Sequence, residues 1–324
     1  MESLREKSVL ITGGTGSFGR VFVRTVLDRT EAGRVVILSR DELKQWEMKR
    51  RFGDDERLRF FIGDVRDRPR LERAFDGVDL VVHAAALKQV PSVEYNPFEA
   101  VKTNILGARN VIDAAIDCGV ERVVALSSDK ASSPINLYGA TKLVSDKLFV
   151  DGNAYAGGKS TRFSVVRYGN VVGSRGSVVP LFRDLAKTGV LPITDERMTR
   201  FWITLSRGVE FVMECFGRMR GGEVFVPKIP SMRVVDLARV IAPDAKLEFI
   251  GIRPGEKLHE ELISVHDARR TVDFEDHYVI EPDMEWWVAE DYAGERVPPD
   301  FCYTSDRNSE WLDETSLSTM LENV

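Results

Sequence analysis

The sequence is short of the residues that build disulfide frameworks and metal sites. Its 324 residues include three cysteines, Cys118, Cys215 and Cys302, an odd number set far apart. Neither a disulfide framework nor paired-cysteine zinc spacing can be drawn from them. The four histidines, His83, His259, His266 and His277, include no pair spaced for a helix-borne metal site, so no metal is expected. No apolar run approaches the roughly 20 residues needed to cross a bilayer. The opening MESLREKSVL lacks the charged-then-apolar layout of a secretory signal, so the expected compartment is the cytoplasm, with no membrane partner. Excess positive charge is missing too. Against 51 Asp and Glu stand 45 Lys and Arg, and the net charge of −6 argues against a nucleic-acid partner. An anionic ligand then has to be held by local cations.

What is present is an ordinary globular balance, 43% hydrophobic and 30% charged. The length suffices for one large domain or two moderate ones. The first half repeats one pattern: a short β-branched apolar run, a turn, then a stretch of helical period. The runs are SVLIT (8–12), RVVILS (34–39), LRFFIGD (58–64), DLVVHAA (79–85), RVVALSS (122–128) and FSVVRYGN (163–170). Phe18, Phe22 and Val26 recur at i, i+4, with Val23 and Leu27 on the adjoining row. Nearly all-apolar strands alternating with helices predict an α/β fold, a doubly wound parallel sheet covered on both faces. A later helix-then-strand stretch, about 206–227, adds one more unit to that sheet. Segments 173–201 and 231–324 hold more Pro, Gly and aromatic residues and no regular alternation. They are assigned to a smaller, discontinuous substrate-binding domain, leaving 1–172 and 202–230 as the dinucleotide-binding domain.

The stretch Thr12-Gly13-Gly14-Thr15-Gly16-Ser17-Phe18-Gly19 follows the first strand and opens the first helix. Glycines at 13, 16 and 19 suit a sharp turn, close approach of backbone N–H groups to a pyrophosphate, and tight helix–strand packing. The strand–turn–helix context is what gives the triplet its weight. At the end of the second strand, where NAD binders carry an acid, stand Ser39, Arg40 and Asp41, with Lys44 one turn on. Arg40 and Lys44 suit a 2′-phosphate, which Ser39 can also reach, so NADP is the expected cofactor. Asp41 has an alternative role as a helix cap. Asp64 and Val65 after the third strand are placed near the adenine, and Ala84 and Ala85 after the fourth beside the dinucleotide.

Tyr138 and Lys142 fall at i, i+4, on one helical face. A phenol of pKa about 10 is a poor base at neutral pH, and a nearby ammonium favours its ionised form. Ser128, Asp129 and Lys130 follow the fifth strand, at the end of the sheet where ligands of open α/β folds bind. Hydride transfer needs only the hydroxyl. The adjacent acid and amine supply proton chemistry beyond it. The alternative for them is a solvated turn with a capping role.

With these residues in view, the sequence resembles the inverting UDP-N-acetylglucosamine 4,6-dehydratases of the extended short-chain dehydrogenase/reductase superfamily, the type that opens pseudaminic acid pathways. The resemblance is carried by ITGGTGSFG (11–19), LSRDELKQ (38–45), FFIGDVRD (60–67), HAAALKQVPSVEYNPFEAVKTNILGA (83–108), SDKA (128–131), PINLYGATKL (134–143), RYGNVVGSRGSVVPLF (167–182), MTRFWITL (198–205), GEVFVPKIPSM (222–232) and GIRPGEKLHEEL (251–262). It implies that Tyr138 takes the proton of the sugar 4-hydroxyl, with Ser128 and Lys142 in support. It further implies that Lys130 abstracts the C5 proton while Asp129 protonates the departing 6-hydroxyl. Non-inverting relatives resemble an Asp-Glu pattern where this chain has Asp-Lys. For the UDP-sugar the resemblance points to Lys88, Asn170, Val178, Thr194, Arg253 and Glu256. Lys88 can serve substrate or cofactor, and Arg253 with Glu256 can instead form an ion pair in a turn. A homo-oligomer, dimer or hexamer, is also implied. Ser128 departs from a more usual Thr, and Ser132-Ser133 from a Val/Ala-Asn pair, the latter with no evident chemical consequence. The acidic, aromatic stretch 284–306 is expected to serve core packing or subunit contact rather than as a lid. The competing readings are a 4-epimerase or simple dehydrogenase on the same scaffold, and a silent NADP-binding sensor.

Overall fold

The computed structural model describes residues 2–174, 176–285, 287 and 294–322. The apolar runs form parallel strands β1 (Ser8–Thr12), β2 (Arg34–Ser39), β3 (Leu58–Ile62), β4 (Leu80–His83), β5 (Arg122–Leu126) and β6 (Arg162–Val166). They lie in the order β3-β2-β1-β4-β5-β6, and the strand Val224–Pro227 continues the sheet parallel to β6. The order reverses between β1 and β4, which opens a crevice at the carboxyl ends of those strands. β1 is buried along its whole length, as a strand covered on both faces must be. Helix α1 (Ser17–Arg29) turns Gly19, Phe22, Val23 and Val26 into the core.

Two features differ from the sequence reading. The run 163–170 is not one strand: β6 stops at Val166, and Asn170–Val171 pairs instead with the strand Thr199–Ile203. Gly169 sits so close to Phe201 that a Cβ would come within 2.5 Å of that residue's own Cβ, which fixes the departure. Second, the segment 231–324 does not stay together. The strands Thr271–Asp273, His277–Ile280 and Glu295–Arg296 join the large sheet as an antiparallel edge beyond Val224–Pro227. A separate core does exist, built from Val172, Val179, Phe182, Leu191, Trp202, Met232, Leu237, Leu317 and Leu321.

The aromatic stretch 284–306 falls partly outside the described residues, at 286 and 288–293. Of its described part, Tyr303 is buried against Phe201, with ring centroids 4.7 Å apart, and bonds Ile229 through its hydroxyl. No described helix is long and apolar enough to cross a membrane.

Candidate active site

Gly13 takes φ +67°, and a Cβ there would come within 3.0 Å of the Ala85 backbone. A Cβ on Gly19 would lie 2.5 Å from Gly14 Cα. The turn is therefore packed against both the α1 helix and the loop after β4 at distances only glycine allows. Thr12 Oγ1 ties that loop down, accepting from the amides of Ala84 and Ala85 at 3.2 Å each. Thr15 is buried inside the turn, and Phe18 stacks on Phe22. Gly16 opens α1 without a side-chain cap, so the first-turn N–H groups, including that of Ser17, form the kind of helix start that binds pyrophosphate. These residues fit a dinucleotide.

At the ribose end, Gln45 Nε2 donates to Ser39 Oγ at 3.0 Å and to the Phe61 carbonyl at 2.8 Å, joining the ends of β2 and β3. Arg40 is largely exposed there, 3.8 Å from Asp64. Asp41 takes the capping role, accepting from the Lys44 amide at 3.0 Å, and it also pairs with the Lys44 ammonium. The Lys44 ammonium is half-exposed, and its pairing with Asp41 is a surface contact. Asp64 accepts from Arg66 Nη2 at 2.7 Å; burial favours its neutral form, but Arg66 outweighs that and lowers its pKa. Val65 is buried under Gly107, where a Cβ would come within 2.7 Å of it.

The residues expected to react converge at the carboxyl end of β5. Ser128 caps a single helical turn, Asp129–Ala131, and donates to Asp129 Oδ1 at 2.7 Å. Lys130 Nζ lies 3.1 Å from the same oxygen. Asp129 is 1% exposed, and burial raises its pKa against the pull of Lys130. For Lys130 burial acts downward, yet the carboxylates of Asp129 and Glu260 prevail and raise its pKa.

The helix Leu137–Tyr155 carries Tyr138 and Lys142, and Asn136 caps its start by accepting from the Gly139 amide at 2.8 Å. Burial pushes Tyr138 up to about 12, opposed by the Lys130 cation and by a hydrogen bond with Ser128. The cation felt by the phenol is therefore Lys130. Lys142, expected to favour the phenolate, is 4% exposed and has its own pKa lowered by burial, with Asp146 resisting.

Among the residues expected to hold substrate, Thr194 Oγ1 donates to Glu256 Oε2 at 3.5 Å, and Glu256 pairs with Arg253. The ion pair in a turn is thus present, and it joins three of the expected residues. Asn170 Oδ1 is buried with no hydrogen-bond partner, as suits a group awaiting a ligand. Val178 begins the helix Val178–Ala186. Lys88 stands close enough to Lys130 for the two ammonium groups to repel, which adds to desolvation in lowering its pKa.

Four further residues escaped the sequence reading. Glu260 Oε1 lies 3.1 Å from Lys130 Nζ, although 130 positions separate them. Asp146 accepts from Ser127 Oγ at 2.7 Å and pairs with buried Arg167 at 3.4 Å, beneath Lys142. Asn104, in a π-helical turn at Val101–Leu106, holds Leu87 through both backbone groups at 2.8 Å and donates to Thr141 at 3.0 Å. Glu260, Arg167 and Asn104 lie inside the quoted segments, which was their only signal, and Asp146 lies outside them all. Ser132 and Ser133, which showed no chemical consequence, both donate to Glu261 Oε1, at 2.7 and 2.6 Å.

Strand order, glycine turn and the Ser128–Tyr138–Lys142 grouping define the extended short-chain dehydrogenase/reductase form of the dinucleotide-binding fold. Residues 9–282 match the polysaccharide biosynthesis protein family, and the chain belongs to it. It is 53% identical, over 98% of each chain, to a UDP-N-acetylglucosamine 4,6-dehydratase (inverting) of Campylobacter jejuni. It is 42% identical to a UDP-glucose 4-epimerase of Rickettsia canadensis, over 86% of this chain and 84% of that one. Among solved structures, Pen from Bacillus thuringiensis superposes with a TM-score of 0.90 at 36% identity, covering 99% of both chains. DesIV, a dTDP-glucose 4,6-dehydratase from Streptomyces venezuelae solved with NAD and TYD bound, gives 0.68 at 26% identity, over 78% of this chain and 86% of that one.

Proposed function

We infer that this chain removes water from UDP-N-acetylglucosamine and inverts C5, giving UDP-2-acetamido-2,6-dideoxy-β-L-arabino-hex-4-ulose. The observation that carries the reading is the pairing of buried Asp129 with half-buried Lys130 beside Tyr138, a proton-moving device that neither an epimerase nor a simple dehydrogenase requires. The full-length likeness to an inverting dehydratase supports it. NADP is the proposed cofactor, held by Gly13, Gly16 and Gly19 at the pyrophosphate, with exposed Arg40 at the ribose phosphate. The chemistry such a dinucleotide supplies when bound is acceptance of hydride from C4 and its return at C6.

The chain's own residues move the protons. Tyr138 takes the proton of the 4-hydroxyl, helped by the Lys130 charge and the Ser128 hydrogen bond. The resulting ketone acidifies C5. Lys130 removes the C5 proton, and Asp129, whose burial favours the protonated acid, gives its proton to the departing 6-hydroxyl. C5 is finally reprotonated from the opposite face, which inverts that centre. Thr194, Arg253, Glu256, Asn170, Val178 and Lys88 line the substrate side, Arg253 suiting a diphosphate and Asn170 an amide or hydroxyl. A cytoplasmic homo-oligomer acting early in pseudaminic acid-type synthesis belongs to the same reading.

Incubation with UDP-N-acetylglucosamine in deuterated water tests it. The expected product lacks the 6-hydroxyl and carries deuterium at C5 in its proton NMR spectrum, and the dinucleotide released on denaturation has the mass of NADP. An epimerase, the reading favoured by the Rickettsia relative, would leave C5 unlabelled and the 6-hydroxyl in place. Lys130→Ala should abolish product while the dinucleotide stays bound, and Tyr138→Phe should stop the initial oxidation. Full turnover by either variant contradicts the assigned role.

A further inference from the structure

Lys130 faces two buried carboxylates at once. Its Nζ lies 3.1 Å from Asp129 Oδ1 and 3.1 Å from Glu260 Oε1. Glu260 is 2% exposed, and Arg200 Nε approaches it at 3.7 Å. Each carboxylate keeps its second oxygen, Asp129 Oδ2 and Glu260 Oε2, buried with no hydrogen-bond partner. Glu260 is not needed to fasten its segment to the turn. Lys257 Nζ already donates to the Ser132 carbonyl at 2.6 Å, and the Ser132 and Ser133 hydroxyls already bond Glu261. Two buried carboxylates with unfilled hydrogen bonds, sharing one half-buried ammonium, are a poor stabiliser of a fold. Its value lies elsewhere.

We propose that Glu260 is a positioning residue for the water-loss step, fixing the Lys130 ammonium against Asp129 and keeping a proton on that pair. The proposal rests on the dehydratase reading. Transfer of one proton from Lys130 Nζ to Asp129 turns ammonium and carboxylate into amine and acid, with no change in total charge. The amine then takes the C5 proton. The C5–H electron pair forms the C5–C6 double bond as the C6–O bond breaks, and the Asp129 proton leaves with the oxygen as water. The pair ends as ammonium and carboxylate again, so no outside base or acid is consumed. The negative charge of Glu260 opposes loss of the working proton to solvent. Arg200, Lys257 and Lys88 act against it from the neighbouring strand, the clamping segment and the loop after β4, while Tyr138 faces the pair from its helix.

Glu260→Gln removes the charge and keeps the volume. In single turnover with UDP-N-acetylglucosamine, the rise in reduced-nicotinamide absorbance should slow far less than dehydration, because Tyr138 keeps the Lys130 charge and the Ser128 hydrogen bond. C5 exchange and dehydrated product should fall about tenfold or more. Both limbs of the pH profile for product formation should move to lower pH, since a proton is held less firmly without the neighbouring anion. Glu260→Asp, which retains the charge, should be slower but leave the limbs in place. Equal loss of oxidation and dehydration in Glu260→Gln, or a pH profile that does not move, overturns the proposal. So does a shifted profile in Glu260→Asp. A wild type that yields no dehydrated product would instead sink the underlying reading, whereas a dehydrating wild type matched by Glu260→Gln sinks this proposal alone.

Discussion

His83 ends β4 beside the glycine turn, 2% exposed, with Nδ1 2.9 Å from Thr12 Oγ1. Burial first, and the Lys142 charge second, lower its pKa to about 3. The unfolded chain takes up this proton near pH 6.5, the folded one only near 3. The stability it contributes is therefore complete above pH 6.5 and declines as pH falls toward 3, by up to about 1.4 kcal/mol per unit. His83→Asn should flatten that slope in urea unfolding measured between pH 6.5 and 4, and an unchanged slope would speak against it. Single residues also show where the sequence could be read and where it could not. Ser128, Asp129, Lys130 and Tyr138 were legible because they occupy two short adjacent segments after one strand. Glu260 was not, because no local pattern announces a carboxylate that folds back onto residue 130. Asp41 bore two meanings in the sequence, and only the hydrogen bond from the Lys44 amide decides between them.

The inner parallel strands were the most readable elements, since burial on both faces leaves a continuous apolar run, whereas β3 at the edge is largely uncovered. The edge strands Thr271–Asp273, His277–Ile280 and Glu295–Arg296 are short and lie among aromatic and charged residues, so nothing in their composition set them apart. The π-helical turn carrying Asn104 has no sequence period of its own. Between elements the tightest junction in the site is at Gly139, where a Cβ would overlap the Lys130 carbonyl oxygen and come within 3.1 Å of Pro134. That contact seats the Tyr138 helix on the Asp129–Lys130 turn. Gly139→Ala should cost about 1–3 kcal/mol through overpacking against backbone that cannot yield. It should lower the melting temperature and cut product formation more than dinucleotide binding; a variant that matches wild type in both would show the junction to be looser than drawn.

At the scale of the whole molecule the described residues form two large cores, one around the large sheet and one under the helices Val234–Ile241 and Glu314–Glu322, with a small third cluster at Val93, Ala100 and Tyr138. Composition placed 231–324 apart from the sheet, yet the strands Thr271–Asp273, His277–Ile280 and Glu295–Arg296 pair with it, because sheet membership depends on long-range pairing that composition does not record. Leu317 is fully buried in that second core. Leu317→Ala should cost about 2–5 kcal/mol, lowering the melting temperature and weakening UDP binding by titration calorimetry. Dinucleotide bound at saturation should stay unchanged. Loss of both ligands together would mean the cores fail as one.

The clip that seats Glu260 has a consequence for synthesis. Its backbone amide donates to Ser305 Oγ at 2.9 Å, and Ser305 returns a bond to its carbonyl at 2.9 Å. The glycine turn and the helix carrying Tyr138 lie within the first 155 residues. The anion opposite Lys130 is instead clipped in place by a residue near the far end of the chain, so it can be seated there only once most of the chain has been made.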